Sequence, residues 1–72
     1  MREILENNGY KFVGTCNCHG LTKSKFRKGN VLFRIHQPTN RWWLEIHGHA
    51  KNNGPKDTLQ TAIDEVLTNP MA

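Results

Sequence analysis

The spacing of hydrophobic and polar residues changes twice along this chain, from a helical rhythm to an alternation and back, and these changes divide it into elements. Met1, Ile4 and Leu5 share one face of a short opening helix over residues 1–8, and Asn8-Gly9 is its stop, with Gly9 free to take the left-handed conformation. Two helical turns do not hold alone, so packing of Ile4 and Leu5 must hold them. Tyr10, Phe12 and Val13 predict a strand over 10–15. Phe12 and Val13 are adjacent, so either could be the inward residue, and simple parity puts Cys16 on the side of Tyr10 and Phe12. Residues 16–21 read as a loop or irregular strand end, with Gly20 as the turn residue.

The middle of the chain is clearer. Lys23, Lys25 and Arg27 alternate with Phe26, Gly29-Asn30 makes a tight turn, and Val31, Phe33 and Ile35 share a face of the next strand. Gln37-Pro38-Thr39-Asn40 is a second turn. It leads into Arg41–His47, where Trp42, Leu44 and Ile46 face one way and Trp43, Glu45 and His47 the other. Residues 48–56, rich in Asn and Gly, read as a polar connection. Asp57-Thr58-Leu59-Gln60 has the form of a capping box, and Leu59, Ala62, Ile63, Val66 and Leu67 follow as an apolar helical stripe. Asn69-Pro70 ends it, with 69–72 expected as a disordered tail. The pattern predicts a single small α+β domain over 1–72: a helix, an antiparallel meander of three to four strands, and a C-terminal helix. Both helices pack on one sheet face.

Length sharpens this picture, because 72 residues leave a thin core that disulfides, a metal or oligomerisation often supplement. A bridge between Cys16 and Cys18 would close a tiny strained ring, so they read as thiols of a reducing compartment. Arg2, Glu3 and Glu6 interrupt any leader, and no apolar run approaches the roughly 18 residues of a membrane span. The expectation is a cytoplasmic protein without a membrane partner. The net charge of +4 favours acidic partners. Six Lys/Arg fall in residues 1–30 against Glu3 and Glu6, whereas residues 51–72 set Lys51 and Lys56 against Asp57, Asp64 and Glu65.

If both helices cover one sheet face, the other carries Lys25, Arg27, Leu32, Arg34, His36, Trp43 and His47. Cations interleaved with a large aromatic suit nucleic acid, since Lys and Arg meet phosphates and an aromatic stacks on a base. Lys25, Arg27, Arg34 and Trp43 are therefore the candidate binding residues, with Trp43 as the stacker and RNA favoured over DNA. Competing readings are a protein partner, and an edge strand over 23–28 kept from aggregating by its charges.

Cys16, Cys18, His47 and His49 form two pairs of residue types that zinc prefers, with His19 or His36 as substitutes. The usual structural spacing puts two residues between cysteines rather than one, so thiols and surface histidines without a cofactor are the default, and zinc is the alternative. No Ser-His-Asp order, phosphate loop or carboxylate pair presents itself.

Leu5, Asn8-Gly9-Tyr10, a loop histidine, a meander and Thr58-Leu59 opening a closing helix resemble the HicA toxins of bacterial toxin–antitoxin pairs. That resemblance implies a double-stranded-RNA-binding-domain-like fold and RNA cleavage, with His19 as the histidine that acts as general acid/base. The family's Gly-Ser-His is Asn17-Cys18-His19 here, and residues 20–24 look like an insertion. A second resemblance, carried by Asn8-Gly9-Tyr10, Cys16-Asn17-Cys18 with Gly20, and Lys25-Phe26-Arg27, is to small uncharacterised bacterial and phage proteins. It implies a compact fold, a phage or mobile-element origin, and an accessory or inhibitory role against a protein partner. The chain alone thus favours a non-enzymatic nucleic-acid-binding module over a His19 ribonuclease or a protein-binding factor.

Overall fold

Leu5 is completely buried although it belongs to a helix of six residues, α1 (Arg2–Asn7), and the way that helix ends explains how it is held. Gly9 takes φ +87°, its N–H donates to the Glu6 carbonyl at 3.1 Å, and the Tyr10 N–H donates to the Leu5 carbonyl at 3.0 Å. These are the paired bonds of a Schellman stop, and the apolar contact that goes with it is formed by Leu5 and Tyr10 inside the core. The Lys28 ammonium donates to the Asn8 carbonyl at 3.0 Å and sets a cation at the helix's negative end.

The chain is described here by a computed structural model that covers residues 1–68, the Cys18 side chain excepted; the tail expected at 69–72 lies outside the described residues. After α1 come β1 (Lys11–Cys18), β2 (Leu21–Lys28), β3 (Val31–His36), β4 (Arg41–Ile46) and β5 (His49–Pro55). A 3-10 turn (Lys56–Thr58) then leads to α2 (Leu59–Thr68). The strands form one antiparallel sheet in the order β1-β2-β3-β4-β5. The α+β architecture with both helices on one sheet face is as expected, but the meander has five strands rather than three to four.

The extra length comes from two His-Gly turns. His19-Gly20 takes φ of +53° and +76°, and His47-Gly48 takes +53° and +79°. Positive φ at both central residues closes a two-residue hairpin, a role more familiar from Asn-Gly. The segment after Thr15, expected as a loop or irregular strand end with Gly20 in the turn, is therefore the end of β1 as far as Cys18, followed by the turn that holds Gly20. The polar connection at 48–56 is mostly β5, an outer strand exposed at every residue but Gly54. It is held by main-chain pairing with β4 and not by apolar alternation.

A bulge settles the ambiguity at Phe12 and Val13. Phe12 pairs with Phe26 and Gly14 with Lys25, so Val13 is an extra residue and parity inverts beyond it. Cys16 consequently sits opposite Lys23, on the face away from the helices, and not on the side of Tyr10 and Phe12.

The core gathers Phe26, Phe33, Ile35, Trp42, Leu44 and Ile46 from the sheet against Leu5, Tyr10, Leu59, Ala62, Ile63 and Val66. Phe33 is its hub, meeting Tyr10 and Trp42 edge-to-face at 5.3 and 5.9 Å. Trp42 is satisfied as well as buried: its indole N–H is shared between the Pro55 carbonyl at 2.8 Å and Thr58 Oγ1 at 3.0 Å. Leu67, expected on the helical stripe, is instead exposed. The capping box does not form either. Thr58 donates to the Pro55 carbonyl within the 3-10 turn at 2.8 Å, and Gln60 donates to Asp64 at 3.0 Å rather than reaching back.

The outward sheet face as a candidate functional site

Strand parity and the position of the helices separate the charges of this protein. Of six acidic residues, Glu3 and Glu6 lie in α1, Asp57 in the 3-10 turn and Asp64 and Glu65 in α2; Glu45 alone lies in the sheet. Pairing across the strands aligns Lys11 with Arg27, Lys25 with Arg34 and Trp43, and His36 with Arg41, all on the face opposite the helices. With Lys23, six of the ten Lys/Arg share that face with, among the described residues, a single carboxylate.

The four residues singled out from the sequence are brought together there, but they are not equivalent. Arg27 is exposed and reaches only the Gly29 carbonyl, at 3.5 Å, and Lys25 is half-buried beside Arg34. Arg34 is committed through Nη1 to the Glu45 carboxylate, while its Nε is buried and has no partner among the described residues. The strand that carries Lys25 and Arg27 lies between β1 and β3, so its charges do not protect a sheet edge. His36 is tied through Nδ1 to the Thr22 carbonyl at 2.9 Å. His47 is not part of the face, because it forms the β4–β5 turn.

Trp43 is not an open stacking platform. The Lys23 ammonium lies 4.1 Å from its ring centroid, although Lys23 belongs to β2 and Trp43 to β4, so the side chain reaches across β3. Lys23 is only 7 % exposed. A buried lysine is almost always paired, yet among the described residues its ammonium has no carboxylate or hydrogen-bond acceptor, only the indole face. Such a cation–π contact is worth roughly 0.5–2 kcal/mol. The Nζ atom itself is not among the fully buried atoms that lack a partner, so the stem is covered while the ammonium keeps contact with water. Sequence parity puts Lys23 on this face; its contact with Trp43 depends on register two strands away and has no local signal.

Lys23, Arg34, Trp43, Lys51 and Asn53 line a half-open basin of about 250 Å³. Arg41 donates through Nη2 to Asn53 Oδ1 at its rim. Glu45 also lines it, and its charge is already engaged by Arg34.

The cysteine and histidine pairs are kept apart. Cys16 and Cys18 belong to β1 and His49 to β5, the two outermost strands, with His47 in the turn just before β5. Alternating strand directions also put the end of β1 and the start of β5 at opposite ends of the sheet. Among the described residues, no three His, Cys, Asp or Glu side chains are grouped to hold a metal. His19 is exposed at the tip of the β1–β2 turn. Among the described residues, no helix is long and apolar enough to cross a membrane.

Comparison with protein families, with characterised proteins and with solved structures finds no match to this chain.

Proposed function

We propose that this protein is a small non-enzymatic binding module whose outward sheet face holds nucleic acid, RNA in preference to DNA, chiefly through the phosphate backbone. One observation carries the reading: six cations share a face with one already-paired carboxylate, while the remaining acids lie in the helices and the turn before α2. A face of that polarity attracts a polyanion and orients it toward the sheet. Lys25 and Arg27, neither of them in an ion pair among the described residues, are the first phosphate contacts. Arg34 is held by Glu45 and shapes the surface between them. Trp43 contributes as the floor under Lys23 more than as a base-stacking platform. In this reading the protein works in the cytoplasm, and a phage or mobile-element origin is compatible with it.

The test is fluorescence anisotropy with labelled single-stranded RNA and DNA across a salt series. Three or four phosphate contacts give a slope of log K against log salt of about −2 to −3 for single strands. Lys25→Glu with Arg27→Glu should weaken binding at least tenfold with an unchanged circular dichroism spectrum. Absence of binding at low salt ends the proposal. RNA cleavage that disappears in His19→Ala would replace it with the ribonuclease reading.

A second reading, an accessory or inhibitory protein that docks on a protein partner, rests on Phe12 and Val13. They are 45 % and 49 % exposed, next to one another on outer strand β1. Capture of a partner that survives nuclease treatment, and is lost in Phe12→Ser, is the result that would favour it.

A further inference from the structure

We infer that the basin beside Trp43 is a phosphate subsite in which Lys23 is the anchoring cation. The subsite takes either a phosphodiester group of a bound strand or the phosphate of a free nucleotide. For its biological source this inference rests on the nucleic-acid reading above; for its chemistry it does not.

The first argument is the state of Lys23. The residue is 7 % exposed, and among the described residues its ammonium meets the Trp43 ring, 4.1 Å from the centroid, and no acceptor. Among the described residues, the one carboxylate of the face is taken by Arg34. The ammonium keeps a path to solvent and has donors that no acceptor among the described residues occupies, in a side chain that lines the basin. The second argument is the company that Lys23 keeps: Arg34, Lys51 and Asn53 line the same basin, and Glu45, the carboxylate that also lines it, is already paired with Arg34. An ammonium without an acceptor among the described residues, with Lys51 and Asn53 beside it, calls for a ligand that brings acceptors and negative charge together. A phosphate group offers several acceptor oxygens around one centre.

Size agrees with that choice. About 250 Å³ lies just below the range of pockets that enclose drug-sized ligands, roughly 300–1,000 Å³, and the basin is open on one side. It seats a phosphate with part of its sugar, and the rest of a strand continues over Lys25 and Arg27.

A purely structural Lys23, a staple that holds β2 to β4 through Trp43, makes the opposite forecast for one variant. Lys23→Met keeps the length of the side chain and its packing on the indole. A staple loses stability in that variant. An anchoring cation leaves the fold as stable as before, or more stable, while the subsite fails.

The experiment uses the full chain and its intrinsic fluorescence, with Trp43→Phe identifying the part of the signal that comes from Trp43. Inorganic phosphate, a nucleoside monophosphate and a single-stranded oligonucleotide are titrated separately into the wild type, Lys23→Met and Lys23→Arg. The expected result is saturable quenching or enhancement of Trp43 by at least one phosphate ligand. Its affinity falls about 10- to 100-fold in Lys23→Met, the size of one lost charged hydrogen bond, and is largely kept in Lys23→Arg. Thermal melting of Lys23→Met should be unchanged or raised. Equal affinity of Lys23→Met and wild type for every ligand, or a clear loss of stability in Lys23→Met with binding retained, overturns the subsite. Failure of the two readings is distinguishable: oligonucleotide binding that ignores Lys23 leaves the face and removes the basin. Phosphate or mononucleotide binding without oligonucleotide binding keeps the basin and removes the nucleic-acid reading.

Discussion

Replacing Gly54 by alanine adds one methyl group at the place where outer strand β5 meets the core. Gly54 pairs with Trp42, and a Cβ built there would lie 2.6 Å from Thr58 Oγ1 and 3.0 Å from Trp42 Cζ2. Neither neighbour can step aside freely. Thr58 Oγ1 is fixed by its bonds to the Pro55 carbonyl and the Trp42 indole N–H, and Trp42 is 1 % exposed. Overpacking a well-filled site costs about 1–3 kcal/mol. The reduced freedom of the unfolded chain returns about 0.4–1 kcal/mol for a Gly-to-Ala change. The net expectation is a loss of about 1–2 kcal/mol, which in a domain of this size lowers the melting temperature by roughly 4–16 °C. Urea unfolding followed by tryptophan fluorescence measures it. Thr58→Ala removes the closer of the two obstructions, so Gly54→Ala should cost about 0.5–1.5 kcal/mol less in that background. Wild-type stability in Gly54→Ala, or full additivity in the double variant, would show that β5 is not clamped against Trp42 as described.

Two further outcomes concern the opening helix. Tyr10 is the only tyrosine, and burial raises its phenol pKa, so absorbance titration should place its ionisation above that of free tyrosine. The folded state prefers the protonated phenol, so the stability linked to it is complete below the unfolded value near 10 and is lost as pH rises through the folded value. Tyr10→Phe should flatten that alkaline decline, and an unchanged decline would assign it to other groups. Lys28→Met removes the ammonium from the Asn8 carbonyl at the end of α1. It should cost about 0.3–1 kcal/mol, seen as faster amide exchange confined to residues 2–10. Faster exchange throughout the sheet would instead mean that Lys28 supports more than the helix end.

The central meander was readable because Phe26, Phe33, Ile35, Trp42, Leu44 and Ile46 are inward residues of strands that alternate without interruption. The outer strands were not, for two different reasons. In β1 one extra residue at Val13 reverses parity, and a bulge leaves no mark beyond two adjacent apolar residues. In β5 almost nothing is buried, so no hydrophobic pattern exists to read, and the strand is specified by its turn and its main-chain bonds. The same distinction applies to the candidate site. Membership of Lys25, Arg27, Arg34 and Trp43 in one face needs only parity within each strand. The contact of Lys23 with Trp43 and the pairing of Arg34 with Glu45 need the register between strands.

That dependence on register bears on how the face would work. Parity alone gives a charged surface on which any cation is as good as another. Register makes three kinds of cation out of it: Arg34 neutralised by Glu45, Arg27 free at the surface, and Lys23 buried over an aromatic ring. A polyanion held by surface charge alone would be insensitive to which lysine is removed, losing a similar amount for Lys25 or Lys23. A ligand that uses the basin would not. Comparing Lys25→Met with Lys23→Met therefore tests whether the sheet supplies only charge or also a place for one phosphate, because only the second case predicts unequal losses and a steeper effect at the buried position.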